Sequence, residues 1–287
     1  MATLYEEVRA LLRESEFRPR KSRGQNFLIH EHVIEAILRL LDLQPDDQVV
    51  EIGPGLGSLT RRLVERAQAV WAVEIDELLA QRLRAGEIGR NSKFNLIYGD
   101  ILKVALPELL PDGKMKLAGN LPYNISTEVL FRIFDWREHF TSLVLMVQKE
   151  VADRIASGPG ATAYGTLSVW CQVHGRVSEK INVSPEAFYP HPKVRSTILK
   201  IELLPQARVC EADLLVLQGL VRAAFGQRRK TLSNAVGSWL LRERKAIDDL
   251  LTAHDVDPKR RGETLTVDEF IKLAQAIRHS GLLSASA

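Results

Sequence analysis

Between residues 49 and 147 short apolar runs alternate with stretches of helical periodicity, and this alternation limits the fold more than any other feature of the chain. Residues 49–52, 70–75, 94–98, 115–118 and 143–147 read as strands. Residues 58–66 and 77–84 repeat apolar side chains at the three- and four-residue spacing of a helix with one buried face. Strands and helices in this order close as a parallel sheet covered on both faces. Sheets of that kind take ligands outside the carboxyl ends of their strands. Gly53, Glu74, Asp100 and Asn120 all fall at those ends, so they are expected around one cleft.

The first strand runs into Gly53-Pro54-Gly55-Leu56-Gly57, where the glycines permit tight turning and close backbone approach to a ligand. The spacing departs from the dinucleotide fingerprint, whose third glycine would fall where the chain has Ser58. A nucleoside without a pyrophosphate is therefore favoured. Glu74 is placed to hold a ribose diol, and Asp100 to accept from an adenine's exocyclic amine. With a methionyl part along the glycine loop, S-adenosylmethionine fits this set.

Asn120-Leu121-Pro122-Tyr123 follows the fourth strand. The Asn120 amide oxygen and a neighbouring backbone carbonyl, such as that of Leu121, can both accept from an NH2 group. Pro122 stiffens the loop and biases Leu121 towards an extended conformation. Tyr123 offers a flat face to an extruded base. The same four residues also fit a strand ending in a turn whose tyrosine belongs to the core. Methyl transfer from a sulfonium to an amine is an in-line displacement that needs alignment more than acid–base help. Adenine's amino nitrogen is a poor nucleophile because its lone pair is delocalised into the ring. Acceptors gripping both hydrogens favour the pyramidal form reached in the transition state. No His or Cys arrangement resembles a catalytic dyad or a metal site, and no metal is expected. His191, between two prolines, reads as a loop residue. Phe188 reads two ways, as a second stacking face opposite Tyr123 or as a core aromatic.

The 287 residues make one large domain or a main domain with an appendage. Residues 4–12, 33–41 and 149–155 have helical spacing, and 180–183 and 196–203 read as strands. Beyond Pro205 only helices are expected, at 214–225, 231–241, 247–253 and 267–277, which divides the chain into domains 1–205 and 206–287. Residues 1–23 form a basic N-terminal extension whose run from Arg18 to Arg23 is a solvated tether or an RNA contact. A formal net charge of +3 does not by itself argue for nucleic acid, so clustering of charge matters more. Lys193 and Arg195, Arg228-Arg229-Lys230 and Lys259-Arg260-Arg261 would each alone be a solvated face. Together they suggest a phosphate-binding surface. Cys171 and Cys210 fit neither a disulfide framework nor a zinc site, and a reduced cytoplasmic setting is the simplest reading. No stretch approaches the roughly 20 apolar residues of a membrane span, and the acidic N-terminus lacks a signal-peptide core.

The motifs are collectively familiar. The stretches Gly24-Gln25-Asn26-Phe27-Leu28, 51–57, Gly99-Asp100, 120–126, Gln148-Lys149-Glu150-Val151, 188–196, 227–232 and 261–265 resemble those of the ribosomal RNA small-subunit adenine dimethyltransferases, nearly end to end. The resemblance implies an α/β, Rossmann-like S-adenosylmethionine-dependent methyltransferase domain with a small all-helical C-terminal domain. It implies four methyl transfers, two on each of two adjacent adenines in the 3'-terminal hairpin loop of small-subunit rRNA. The substrate would be the immature small ribosomal subunit, and the enzyme a cytoplasmic monomer. Carried over, the cofactor contacts fall on Asn26, Leu28, Gly53, Glu74, Asp100 and Asn120, with Gln25 as a neighbour. The target-base residues fall on Asn120, Leu121, Pro122, Tyr123 and Phe188. The expected RNA contacts are Lys193, Arg195, Arg228, Arg229 and Lys230. His30 stands where an acid is usual, Glu128 where a proline is frequent, and Ser233 where a basic residue is common. Relatives that methylate large-subunit RNA and confer macrolide resistance share the cofactor and amine motifs, whereas residues 227–232 favour the small-subunit branch. A non-catalytic RNA-binding assembly factor is the other alternative.

Overall fold

The switch point of a doubly wound sheet is set by the order in which its strands are laid down. In the computed structural model, which describes residues 4–14, 19 and 24–283, that order can be followed directly. Arg18 and residues 20–23 of the basic run lie outside the described residues. Helix α1 (Leu4–Glu14) precedes strand β1 (Phe27–Leu28), followed by α2 (Glu31–Leu41), β2 (Gln48–Ile52), α3 (Ser58–Arg66), β3 (Ala69–Glu74) and α4 (Glu77–Ala85). Then come β4 (Phe94–Tyr98), α5 (Leu106–Leu109), β5 (Met115–Asn120), α6 (Ser126–Asp135), β6 (Phe140–Gln148), α7 (Lys149–Ala156) and α8 (Thr166–His174). Strands β7 (Gly175–Val183), β8 (Phe188–Tyr189) and β9 (Ser196–Leu203) lead into α9 (Glu211–Gly226), α10 (Leu232–Leu240), α11 (Arg244–Ala253) and α12 (Val267–His279).

Seven of the described strands form one sheet in the order β4-β3-β2-β5-β6-β9-β7. The pairs among β4, β3, β2, β5 and β6 are parallel, as the alternation predicts. Strand β9, however, runs antiparallel to β6, so the sheet is mixed rather than wholly parallel. After β2 the chain builds outward through β3 and β4, then returns to the other side of β2 for β5. The cleft at this reversal lies beside Ile52 and Gly119, which are paired in register. One core forms under the sheet where Ile34, Ile37 and Leu41 of α2 and Leu63 of α3 meet Val49, Val70, Ala118 and Met146.

A separate ladder pairs Phe27 with Tyr189 and Leu28 with Phe188. Adjacent strand residues face opposite sides, so one aromatic of the Phe188–Tyr189 pair must turn inward. Phe188 does so: it is fully buried in the same core cluster as Ile34 and Ile198. In this structure the ring therefore stands in the core, the second of its two readings.

The chain divides into two compact units, Met1–Ala152 with Arg176–Pro205, and Asp153–Gly175 with Gln206–Ala287. A single boundary near Pro205 omits the excursion at residues 153–175. That segment belongs with the helices because Tyr164, almost fully buried, donates its hydroxyl to Leu265 O at 3.0 Å. Its ring also meets Phe225 edge-on at 5.6 Å.

Candidate active site

The cleft occupies about 960 Å3, counting its open mouth, and is walled by strand ends and by the arm at residues 24–28. Gln25, Asn26, Leu28, Gly53, Glu74, Asp100 and Asn120 all line it, as does Pro122. The arm reaches the cleft through the β1–β8 ladder and through Ser58, whose hydroxyl donates to Leu28 O at 3.4 Å. Ser58 opens α3 directly after Gly57, which has φ 84°. A Cβ on Gly57 would stand 2.5 Å from Ile88 Cδ1, a side-chain end that can shift, so it is the backbone conformation that favours glycine there.

Glu74 organises the glycine loop. Its Oε2 accepts from Gly55 N at 3.1 Å and its Oε1 from Asp76 N at 2.8 Å. Burial pushes its pKa up, while these N–H donors work against the shift. A carboxylate carries about four acceptor sites. Each Glu74 oxygen therefore keeps capacity for one further donor. Asp76 in turn caps α4 by accepting from Leu78 N and Leu79 N. Asp100 accepts from Leu102 N at 3.0 Å through Oδ1, which fixes the turn after β4.

Glu51 was not among the expected site residues, yet it lines the cleft and is 2 % exposed. Its Oε2 has no hydrogen-bond partner. Burial pushes its pKa up to about 8, the neighbouring Thr60 opposes the shift, and the charge of Glu74 adds to it. The Thr60 hydroxyl itself makes no hydrogen bond, so its opposition is weaker than a formed bond would be. A single acid inside an apolar strand was the signal available in the sequence.

The turn after β5 is held from two sides. Asn120 Nδ2 donates to the Asn26 carbonyl at 3.0 Å. Because an amide has one donor end and one acceptor end, this bond leaves Oδ1 to accept. Leu121 is buried, and its N–H donates to Met146 O at 3.0 Å, so its side chain is core and only its backbone is available for chemistry. Tyr123 is half-buried and lies outside the cleft walls. Its hydroxyl is 2.6 Å from Ser196 Oγ, and burial raises its pKa, so the phenol stays neutral.

The basic residues differ in how they are engaged, and the charge of Arg195 acts on Glu186. Lys193 and Arg195 are exposed between β8 and β9 in the first unit. Arg229 and Lys230 are exposed in the second. Arg228 is also exposed but pairs with Glu263 at 2.6 Å and donates to Thr162 O at 2.7 Å. Among the described residues, no group of three or more His, Cys, Asp or Glu side chains is placed to share a metal ion. Nor is any described helix long and apolar enough to cross a membrane.

Doubly wound sheets divide by what their switch point offers a ligand. A glycine loop lacking the pyrophosphate spacing, with acids at the next two strand ends and an amide-bearing turn beside them, belongs to the Rossmann-like methyltransferases. The family model for "Ribosomal RNA adenine dimethylase" matches residues 16–278. "Ribosomal RNA small subunit methyltransferase A" of Syntrophotalea carbinolica is 45% identical over 261 residues, covering 91% of this chain and 97% of that protein. The protein of the same name from Geobacter metallireducens is 42% identical over 274 residues, covering 94% and 99%. The crystal structure of a dimethyladenosine transferase from Plasmodium falciparum superposes with a TM-score of 0.78 at 25% identity, covering 89% of this chain and 98% of that one. The chain belongs to the ribosomal RNA adenine dimethylase family.

Proposed function

We propose that this protein transfers methyl groups from S-adenosylmethionine to the exocyclic N6 amines of two adjacent adenines in the 3'-terminal hairpin loop of small-subunit rRNA, within the immature small subunit. The products are N6,N6-dimethyladenosines. The observation that carries this reading is the Asn120 amide, whose donor end is occupied by Asn26 O and whose acceptor end is left for an amine.

When bound, S-adenosylmethionine supplies an electrophilic methyl group on a sulfonium. The residues present fit it. The buried, unpartnered Oε2 of Glu51 is a counter-charge for the methionyl ammonium. The remaining acceptor sites of Glu74 suit a ribose diol, and Asp100 Oδ2 suits the adenine amine of the cofactor. On the substrate side, Asn120 Oδ1 and the Leu121 carbonyl accept the two amino hydrogens of the target adenine. That grip favours the pyramidal nitrogen of the transition state over the flat ground state. Tyr123 offers its face to the extruded base, with its hydroxyl edge fixed by Ser196. Proton loss follows methyl transfer, from a cationic and acidic amine, so water suffices as acceptor and no dedicated base is needed.

The test is mass mapping of methylated nucleotides after reaction with undermethylated small subunits. Two dimethylated adenines in the terminal hairpin are expected. Preferential transfer to large-subunit RNA or duplex DNA, or no transfer to any precursor subunit, overturns the proposal. Asn120→Ala is expected to lower the single-turnover rate about 100-fold or more while subunit binding holds.

A further inference from the structure

Helix α1 lies ahead of the span matched by the family model, which begins at residue 16, and no step above uses it. Its position is nevertheless specific. Leu4, Val8 and Leu12 recur every four residues and share one face. Val8 is 1 % exposed and sits in a cluster with Phe27, Ile29, Leu56 and Leu79, with Leu4, Leu12 and Tyr189 at its margin. Three of these residues, Phe27, Leu56 and Leu79, also wall the cleft. The same side chains therefore touch the cleft and the cluster that α1 completes. Phe27 in turn lies on the glycine loop: a Cβ on Gly55 would stand 3.1 Å from Phe27 Cε1. The helix has a second attachment beside this one, since Tyr5 meets Tyr189 edge-on at 6.1 Å and Tyr189 is the ladder partner of Phe27.

We propose that α1, through Val8, is a positioning element for the cofactor site, holding Phe27, Leu56 and Leu79 in place behind the glycine loop. The inference rests on the reading that this cleft takes S-adenosylmethionine. A wall side chain ordered before binding costs the ligand nothing to immobilise, whereas a mobile one must be ordered at the expense of affinity. Without α1 the apolar backs of these side chains would face water, and the loop they support would lose its backing. Val8 itself touches no ligand in this arrangement. Its contribution passes through Phe27, Leu56 and Leu79.

The experiment compares wild type, Val8→Asp, Val8→Ala and Val8→Ile in the full chain. It measures the dissociation constant for S-adenosylhomocysteine by calorimetry and amide hydrogen exchange by mass spectrometry. For Val8→Asp an affinity loss of about tenfold is expected, with about two- to threefold for Val8→Ala. Val8→Ile should restore wild-type binding. Exchange should rise at residues 53–57 and 27–28 while the central strands stay protected. Unchanged affinity in both Val8→Asp and Val8→Ala overturns the proposal. So does weakened binding accompanied by uniform loss of protection across the sheet, which marks a merely structural role. Should Val8→Asp fail to fold, Val8→Ala and Val8→Ile decide the outcome by the same readouts. Failure of the wild-type protein to bind S-adenosylhomocysteine would instead remove the cofactor reading beneath it.

Discussion

A carboxyl group buried without a partner can lower its energy by keeping a proton or by meeting a cation. Glu51, whose buried Oε2 lacks a partner, comes close to such a group, with a pKa pushed up to about 8 by burial. At neutral pH it is mostly protonated, and an ammonium placed against it favours the ionised form. Cofactor binding should therefore release up to one proton at pH 7. Binding heats measured in buffers of different ionisation enthalpy should show this release in the wild type and lose it in Glu51→Gln. The release should fade above pH 8, where the group is already ionised. The sign for stability is opposite to that of a salt-bridged acid. Between the unfolded value near 4.5 and about 8 the native state holds the extra proton, so stability is lost as pH rises through that window. The melting-temperature advantage of Glu51→Gln should grow from pH 5 to 8 and then level off. Tyr123 poses a different question, because its ring is useful only if it stays in place. Ser196→Ala and Tyr123→Phe remove the same 2.6 Å contact. Each should lower kcat/KM by about five- to tenfold, and the double variant should cost no more than either alone. Additive losses would show that the two groups act separately.

The arm at residues 24–28 and the turn after β5 behave as one device, because the Asn26 carbonyl decides which way the Asn120 amide points. Gly24 makes their approach possible. It has φ 59°, and a Cβ there would lie 3.3 Å from Tyr123 N and from Asn124 Oδ1. Gly24→Ala adds conformational strain of about 1–2 kcal/mol and presses on backbone that has little room to yield. The arm should lift, freeing the amide to rotate, and the single-turnover rate at saturating cofactor should fall about tenfold with little change in melting temperature. A wild-type rate in Gly24→Ala would separate the arm from the amide. How far such elements are legible in sequence depends on what periodicity records. Strands β2 to β6 and their alternation with helices follow from apolar runs and their spacing, and the residues at their carboxyl ends meet as expected. Periodicity carries no strand direction, which is why the antiparallel β9 is not foreseen. Helix α8 is buried at Leu167, Val169, Trp170, Cys171 and Val173, so it lacks the polar face that betrays a helix. Helix α6 does carry that signal, in Val129, Leu130, Ile133 and Phe134, directly after the Asn-Leu-Pro-Tyr turn. Strand β8 has only two residues, too few for alternation to say whether Phe188 or Tyr189 turns inward. Their partner strand, distant in the chain, settles it.

Taken as a whole, the molecule is nearly balanced in charge, with 39 basic and 36 acidic residues, so attraction to RNA must come from residues not already neutralised. Arg228 is paired with Glu263, and Arg260 with Glu269 at 2.5 Å, which makes both local fastenings of the helical unit. Lys193 and Arg195 in the first unit, and Arg229, Lys230, Lys259 and Arg261 in the second, remain exposed candidates for phosphate contact, and the first two pairs carry the test. The two classes should respond differently to salt. Each phosphate contact adds roughly 0.7 to 0.9 to the slope of log affinity against log salt concentration. Replacing Lys193 and Arg195 together by glutamine, or Arg229 and Lys230 together, should lower the slope for small-subunit binding by about one to two. The four-residue variant should lose about the sum, because the two pairs sit on different units and need share no partner group. Cofactor affinity, set in the cleft, should not change in any of them. Arg228→Gln should lower the melting temperature and leave the slope as it was, since its guanidinium serves Glu263 and Thr162 rather than phosphate. A full slope retained by both double variants, or a slope lost in Arg228→Gln, would reverse this division between recognition and fastening.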